Sequence, residues 1–505
     1  MNIGTLITRH ARYRPDHTAV VFGGERLSYA AFNERVNRLA NALLAAGIGK
    51  DQKVATVLPN CLELLDLYWA AAKSGAVVVP MSPLLQPSGL AGLLRDSDSE
   101  MVITHPNYAD LVDASREGPE IPAENYIIVG GASREGFRTF EDLVAGAATD
   151  EPPDAGLADD DVYNIIYSSG TTGDPKGIVH THYIRAQYCT LFSQAFRFTP
   201  ESVTLHTGAA IFNGAFVTLM PAFYNGATYI LHKAFDLDEV IKTVRDEKVT
   251  HVMMVPAQII QLINHPGLEP KDLESLECVL SLGAPLHLEH KKRFDELLPG
   301  RFHELYGLTE GFMTILDKTD FHKKPESVGV CPPFLEMRIC DDDGNDVEAG
   351  VVGEIVGRGP HLMPGYYKRP DLTEQAVKDG WLFTGDLGYV DEDGFLFLVD
   401  RKKEMIISGG VNVYPRDIED VAVGHPEVAE IAVFGIPDEK WGETPVCAAI
   451  LKGGAETTEE ALKDWINANV AAKFQRVSRV LIMDEFPRNA AGKTLKRAIR
   501  DDLIG

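Results

Sequence analysis

Six cysteines are spread over 505 residues, at Cys61, Cys189, Cys278, Cys331, Cys340 and Cys447, and no two form a CxxC pair. The scatter points away from a disulfide framework and toward free thiols in a reducing compartment. Long apolar runs are also missing: the stretch 76–85 contains Pro80 and Pro83 and is far too short to span a bilayer. The opening Met1-Asn2-Ile3-Gly4 has no charged segment leading into an apolar one. No secretory leader is expected, and the default location is cytoplasmic. Basic residues are outnumbered, 48 against 74 acidic ones, for a formal net charge of −26. Such a chain is a poor candidate for general nucleic-acid binding. Any anionic ligand must be held by local backbone N–H groups, by placed Lys or Arg, or through a metal. No G-x-S-x-G elbow occurs, so a serine-nucleophile hydrolase is disfavoured.

A chain of 505 residues is too long for one hydrophobic core, and its hydrophobic content of 45% is ordinary for a globular protein. Up to about residue 395, helical patterns alternate with short apolar runs. Helices are expected over Leu27–Ala46, with Ser28 as N-cap, and over Cys61–Ser74. Strands are expected over Val54–Leu58, Ala76–Pro80, Tyr163–Tyr167, Tyr229–Leu231, Thr250–Val255 and Cys278–Leu282. This alternation implies largely parallel sheets covered by helices on both faces, an α/β fold.

The texture changes after Trp381. A hairpin is expected to turn at Asp393-Gly394. Beyond the cations Arg401-Lys402-Lys403 the chain has its own pattern: helices over Ile418–Val423 and Glu459–Ala472, strands over Ile431–Phe434 and Val446–Leu451. The expected organisation is a large N-terminal domain, residues 1–399, a hinge at 400–403, and a small α+β domain at 404–505.

The richest stretch is Tyr167-Ser-Ser-Gly-Thr-Thr-Gly-Asp-Pro-Lys176-Gly177, which follows the apolar run 162–167. Its glycines let backbone N–H groups approach a phosphate, its hydroxyls add donors, and Lys176 adds a point charge. Gly-Lys-Ser/Thr is absent from it, so it is not a Walker A loop.

This segment resembles the signature loop of the adenylate-forming superfamily, which includes acyl-CoA synthetases, peptide-synthetase adenylation domains and beetle luciferases. Further motifs lie along the chain in the family's order: Asn60 to Pro80 before this segment, and after it Ser281-Leu-Gly-Ala-Pro285, Tyr306-Gly-Leu-Thr-Glu310, Trp381-Leu-Phe-Thr-Gly-Asp386, Asp400 to Gly410, and Pro487 to Lys493. The resemblance implies an AMP-forming acid–thiol ligase: a carboxylate and ATP give an acyl-AMP and pyrophosphate, and coenzyme A then takes the acyl group. It also implies a β-rich subdomain and a mobile C-terminal domain that alternates between two positions. ATP, Mg²⁺ and coenzyme A are the implied ligands, with a small-molecule carboxylate as substrate and a homodimer as an allowed assembly.

The same resemblance implies roles residue by residue. Ser168, Ser169, Gly170, Thr171, Thr172, Gly173 and Lys176 close over the outer phosphates. Thr309 contacts the α-phosphate and Glu310 holds Mg²⁺. Tyr306 and Gly307 face Gly283, Ala284 and Pro285 across the adenine. Asp386 and Arg401 bind the ribose, Lys403 is the pivot, and Lys493 is the catalytic lysine. By composition alone Lys493, Lys496 and Arg497 read instead as a solvated helix face. Gly208, Phe212, Asn213, Gly214 and Met313 are candidates for the acyl pocket. Their small and apolar character favours an aromatic or medium-to-long aliphatic acid. Ser408, Gly409, Gly410, Trp441, Lys473, Phe474 and Arg476 are candidates for the coenzyme A face. Two positions depart from the family pattern: Asn213 stands near the place of a frequent histidine, and Val411 where glutamate is frequent. Competing expectations are an adenylation unit that loads a carrier protein and a catalytically silent binding module. No carrier domain is expected after Gly505, and Glu310 and Lys493 are both retained.

Overall fold

The computed structural model describes residues 1–168, 176–408, 411–438, 441–489 and 492–504. Two large sheets form the first part of the chain. One has eight strands in the spatial order Met313–Leu316, Phe302–Gly307, Cys278–Leu282, His251–Met254, Val203–His206, Thr228–Leu231, Thr18–Phe22 and Glu25–Ser28, all parallel except the two outermost pairings. The other has seven, in the order Arg138–Thr139, Tyr126–Ile128, Ser99–Thr104, Lys53–Val57, Val77–Pro80, Val162–Ser168 and Lys176–Thr181. It is parallel throughout except for its last pair.

Four helices, Tyr29–Ala45, Leu62–Ser74, His182–Ala195 and Asn213–Asn225, carry the apolar side chains of the main core shared with both sheets. Their sequences explain the placement. Every residue of Leu62–Ser74 except Glu63 is buried; most are apolar, and the two buried charges are paired, Asp66 with Arg35 at 2.6 Å and Lys73 with Glu151 at 2.7 Å. Phe216 is fully buried, with the Tyr68 ring centroid 5.1 Å from its own. Truncating such a side chain to Ala costs about 3–5 kcal/mol. The helix expected after Ser28 starts at Tyr29, and the Ser28 hydroxyl accepts from Ala31 N at 3.2 Å, the side-chain cap that the residue type favours.

A five-stranded antiparallel sheet follows: Glu336–Cys340, Gly353–Arg358, Trp381–Val390 and Val377–Lys378 in order, with Leu396–Arg401 paired to Trp381–Val390. The expected hairpin turns here, with Gly394 at φ 84° and its N–H on Asp391 O. After a turn over residues 402–405 the chain enters a last sheet of Val411–Val413, Ile406–Ser408, Gly442–Leu451, Val428–Asp438 and Arg479–Ile482. Helices Pro415–Ala422, Glu459–Asn469 and Lys496–Ile504 accompany it. The helix expected to reach Ala472 stops at Asn469, because Val470 is extended (ψ 145°). Lys496, expected on a solvated face, is ion-paired with Glu419 at 2.7 Å.

Polar contacts join the last unit to the rest. His287 Nδ1 lies 2.6 Å from Asp420 Oδ1. In the connecting turn, Lys402 reaches Asp342 at 2.8 Å and Glu354 at 3.2 Å, both on the antiparallel-sheet side. All six cysteines are free thiols, and among the described residues no helix is long and apolar enough to cross a membrane.

Candidate active site

A cavity of about 890 Å³ opens at the carboxyl ends of the parallel strands in the eight-stranded sheet. Thr207 and Gly208 follow one strand, Val255 and Pro256 the next, Gly283, Ala284 and Pro285 a third, and Thr309 and Glu310 a fourth, and all of them border the cavity. In an open α/β sheet this is where loops converge and ligands bind. Asp386 and Arg401 border it from the antiparallel sheet, and Lys493 from the C-terminal unit.

Asp386 and Arg401 come together because the hairpin places them directly opposite each other in register. Arg401 Nε lies 3.6 Å from Asp386 Oδ1, and the Tyr306 hydroxyl donates to Asp386 Oδ2 at 2.7 Å. Burial raises the Asp386 carboxyl above its ordinary value against the pull of Arg401. Lys493 sits in a tight loop whose main chain bonds twice to Asn489: Lys493 N donates to Asn489 Oδ1, and Asn489 N donates to Lys493 O, both at 2.9 Å. Gly492 has φ 80°, and a Cβ there would lie 3.1 Å from Val255 of the eight-stranded-sheet unit, so the loop lies close against that unit. Burial, and next the positive Arg401, lower the Lys493 ammonium to about 8. A cation so depressed stands ready to gain stabilisation from an incoming anion.

The Glu310 carboxylate accepts from the Tyr366 hydroxyl at 2.9 Å, and the Lys176 ammonium lies 4.9 Å from the centroid of the same Tyr366 ring. Burial and the neighbouring Glu310 hold the Tyr366 phenol well above its usual range, so it stays a donor. Gly311 (φ 109°) is obligatory beside Glu310, since a Cβ there would collide with His361 O at 1.9 Å. Thr309 O accepts from His180 Nε2 at 2.9 Å. A carbonyl cannot donate, so His180 carries its proton on Nε2. His180 lies on the strand Lys176–Thr181, so this bond ties the Thr309 loop to that strand.

The acyl candidates Gly208, Phe212, Asn213, Gly214 and Met313 all border the cavity, among mainly apolar neighbours that include Ile166, Phe192 and Val217. Asn60 holds this wall in place. Its Nδ2 donates to Gly208 O at 2.7 Å and to His232 O at 2.8 Å, and its Oδ1 accepts from Ala210 N at 2.8 Å.

Residues 7–367 match the family model described as AMP-binding enzyme, and residues 417–493 match that of the AMP-binding enzyme C-terminal domain. The chain belongs to the AMP-binding enzyme family. This AMP-binding enzyme is 35% identical to a feruloyl-CoA synthase of Amycolatopsis sp, over 99% of this chain and 98% of the relative. It is 33% identical to the long-chain-fatty-acid–CoA ligase FadD13 of Mycobacterium tuberculosis, with the same two coverages. Its fold superposes on ATP-bound MatB from Rhodopseudomonas palustris with a TM-score of 0.90, at 28% identity and 99% coverage of each chain.

Within this family member the candidates separate into two places. Lys493, Thr309, Glu310, Tyr306, Gly307, Asp386, Arg401, the Gly283–Pro285 loop and the acyl residues share the cavity. Lys176 pairs with Ser168 across an antiparallel hairpin and sits beside Tyr366, whereas Ser169, Gly170, Thr171, Thr172 and Gly173 lie outside the described residues, as do Gly409 and Gly410. Ser408 is buried at a strand end, and Trp441, Lys473, Phe474 and Arg476 are exposed on the C-terminal unit away from the cavity. Lys403 is exposed in the turn before the last sheet. Sequence reasoning missed Tyr366, His180, Tyr188 and Arg185. Only Tyr366 carried a signal, the turn-forming Met-Pro-Gly before it.

Proposed function

We infer that this chain is an AMP-forming acyl-CoA synthetase that activates a fatty or aromatic carboxylic acid. One observation carries the reading: Lys493, Asp386, Arg401, Thr309 and Glu310 share a single cavity with a mainly apolar wall. One part suits a nucleotide, the other an acyl chain, and the lysine lies at their common space.

In the first half-reaction a carboxylate oxygen bonds to the α-phosphorus of ATP while the bond from that phosphorus to the β-phosphate bridge breaks, releasing pyrophosphate. In the second, the coenzyme A sulfur bonds to the acyl carbon, AMP leaves, and the thiol proton passes to solvent. The chain supplies charge and position rather than a nucleophile. Asp386 accepts from the ribose hydroxyls, with Tyr306 and Arg401 fixing its carboxylate. The Gly283–Pro285 loop and Tyr306 enclose the base. Lys493 lies between the acid and the α-phosphate, where two anions must meet. Lys176 and the residues 168–173 meet the outer phosphates. Lys403 is the pivot about which the C-terminal unit turns between half-reactions, bringing Ser408 to Gly410, Trp441 and the Lys473–Arg476 segment toward coenzyme A.

Among the described residues no three His, Cys, Asp or Glu side chains form a metal cluster. Glu310 alone, with one oxygen engaged by Tyr366, fits a cation shared between one carboxylate and phosphate oxygens. Mg²⁺ prefers such sharing over an all-protein cage. Glu310 would hold it there, and the ion would neutralise phosphate charge.

The test is ATP–pyrophosphate exchange across a panel of carboxylic acids, followed by coenzyme A-dependent AMP release with the acids that exchange. Exchange with an aliphatic or aromatic acid and AMP release that requires coenzyme A are the expected results. Exchange with no release of AMP to coenzyme A would move the acceptor to a carrier protein. No exchange with any acid would overturn the reading.

A further inference from the structure

Arg185, on the helix His182–Ala195, is fully buried, and among the described residues no carboxylate lies within ion-pair distance of it. Its partners are amide oxygens. Nε and Nη2 donate to Asn164 Oδ1 at 3.2 and 3.1 Å, and Nη1 donates to Asn213 Oδ1 at 2.8 Å. Its guanidinium also lies 4.1 Å from the Phe216 ring centroid and 4.9 Å from that of Tyr188.

This arrangement fixes the direction of every hydrogen bond beyond it. A guanidinium has donors and no acceptor, so the Asn213 oxygen must face Arg185 and its amide nitrogen must face away. That nitrogen donates to the Tyr188 hydroxyl at 3.2 Å. The Tyr188 oxygen is therefore an acceptor, and its own proton must be given elsewhere. Among the described residues it meets no acceptor. Tyr188 and Asn213 both border the acyl side of the cavity. A buried positive charge one amide away polarises the chain Arg185–Asn213–Tyr188 toward the cavity and strengthens the last donor.

We propose that the acyl pocket selects acids carrying a hydrogen-bond-accepting oxygen away from the reacting carboxyl, and that the Tyr188 hydroxyl receives it. A phenolic, ether or hydroxyl oxygen meets the requirement, and an unsubstituted hydrocarbon tail leaves the Tyr188 proton unpaired. Arg185 and Asn213 are positioning residues, because they act through Tyr188. The inference rests on the acid-activating reading above.

The experiment measures kcat/KM for AMP formation with matched pairs: benzoic and 4-hydroxybenzoic acid, cinnamic and 4-hydroxycinnamic acid, octanoic and 8-hydroxyoctanoic acid. In the wild-type enzyme at least one oxygenated acid is expected to exceed its plain partner by about tenfold or more, as sites built to bond a substrate oxygen do. Tyr188→Phe should bring that ratio close to one. Asn213→Asp should do the same for a different reason. It keeps the shape and pairs with Arg185, but it offers Tyr188 an acceptor and turns the hydroxyl proton inward. A ratio measured within one protein preparation does not depend on how much of it is folded. The proposal is overturned if no wild-type pair shows the preference, or if the preference survives either substitution. If plain and oxygenated acids are used alike, acid activation stands and only this inference falls. If no acid yields AMP, both fall.

Discussion

The Tyr306 hydroxyl and the Asp386 carboxylate are joined at 2.7 Å, across the gap between the end of a parallel strand and the middle of the antiparallel sheet. A hydrogen bond to a charged group is worth about 1.5–3 kcal/mol. Tyr306→Phe should therefore raise the KM for ATP by about tenfold or more while the KM for the acid changes little. The sign with pH follows from burial. The Asp386 carboxyl is raised in the folded protein, and losing a donor to its ionised form raises it further, so the defect should grow as pH falls. ATP titrations of both proteins at two pH values check this, and a defect that shrinks in acid would contradict it.

Lys493 offers the sharpest separation of the two half-reactions. Removing a placed donor to developing charge typically costs on the order of 10²–10³ in rate. Lys493→Ala should slow acyl-AMP formation by at least that factor, yet make thioester from preformed acyl-AMP and coenzyme A at a near-normal rate. Single-turnover measurements of each step decide it. Equal damage to both steps would reassign Lys493 to folding or general binding.

The same lysine predicts a pH profile. With its ammonium lowered to about 8, the free enzyme loses the cation as pH rises through that value. The kcat/KM for adenylation should fall on the alkaline side of about pH 8, and Lys493→Arg, which stays charged, should move that fall upward. An alkaline limb unchanged by the substitution would assign it to another group.

Glu310→Gln removes the carboxylate charge while leaving an oxygen that can still accept from Tyr366. Adenylation should weaken and the magnesium titration should shift to higher concentration. A normal rate with an unshifted titration would remove Glu310 from metal binding.

Lys403 lies in the turn between the strands Leu396–Arg401 and Ile406–Ser408. Proline there fixes φ near −65° and denies the backbone a rotation. Lys403→Pro should spare adenylation and abolish most thioester formation. Equal loss in both steps, or none in either, would contradict the pivot.

Much of the architecture was legible because burial writes itself into composition. The run Ala76–Pro80 became the buried strand Val77–Pro80, and Cys61–Ser74 became a helix one residue shorter. The largely parallel pairing was legible from the alternation of helix and strand, but the reversal at the edge was not: Val162–Ser168 and Lys176–Thr181 pair antiparallel at the end of an otherwise parallel sheet, and an apolar run has no polarity. Composition alone reads Asp386 as a turn residue and Lys493 as part of a solvated face; the nucleotide candidates stood out through their resemblance to family motifs. Arg185 did not, since an arginine in a helix ordinarily faces water, and only the three-dimensional meeting of Asn164, Asn213 and Phe216 keeps this one inside.

The ion pairs at the joint are His287–Asp420, which crosses from the C-terminal unit, and Lys402 of the connecting turn with Asp342 and Glu354, pairs with one or both side chains substantially exposed. Exposed pairs contribute about 0–1 kcal/mol each, close to thermal energy, and salt screens them further. Ion pairs of this kind do little to hold the C-terminal unit in one position. Under the pivot proposed above, the ligand that fills the cleft would tip the joint one way or the other, and the order of the two half-reactions would be written by the arrival of substrates rather than stored in the protein as a spring.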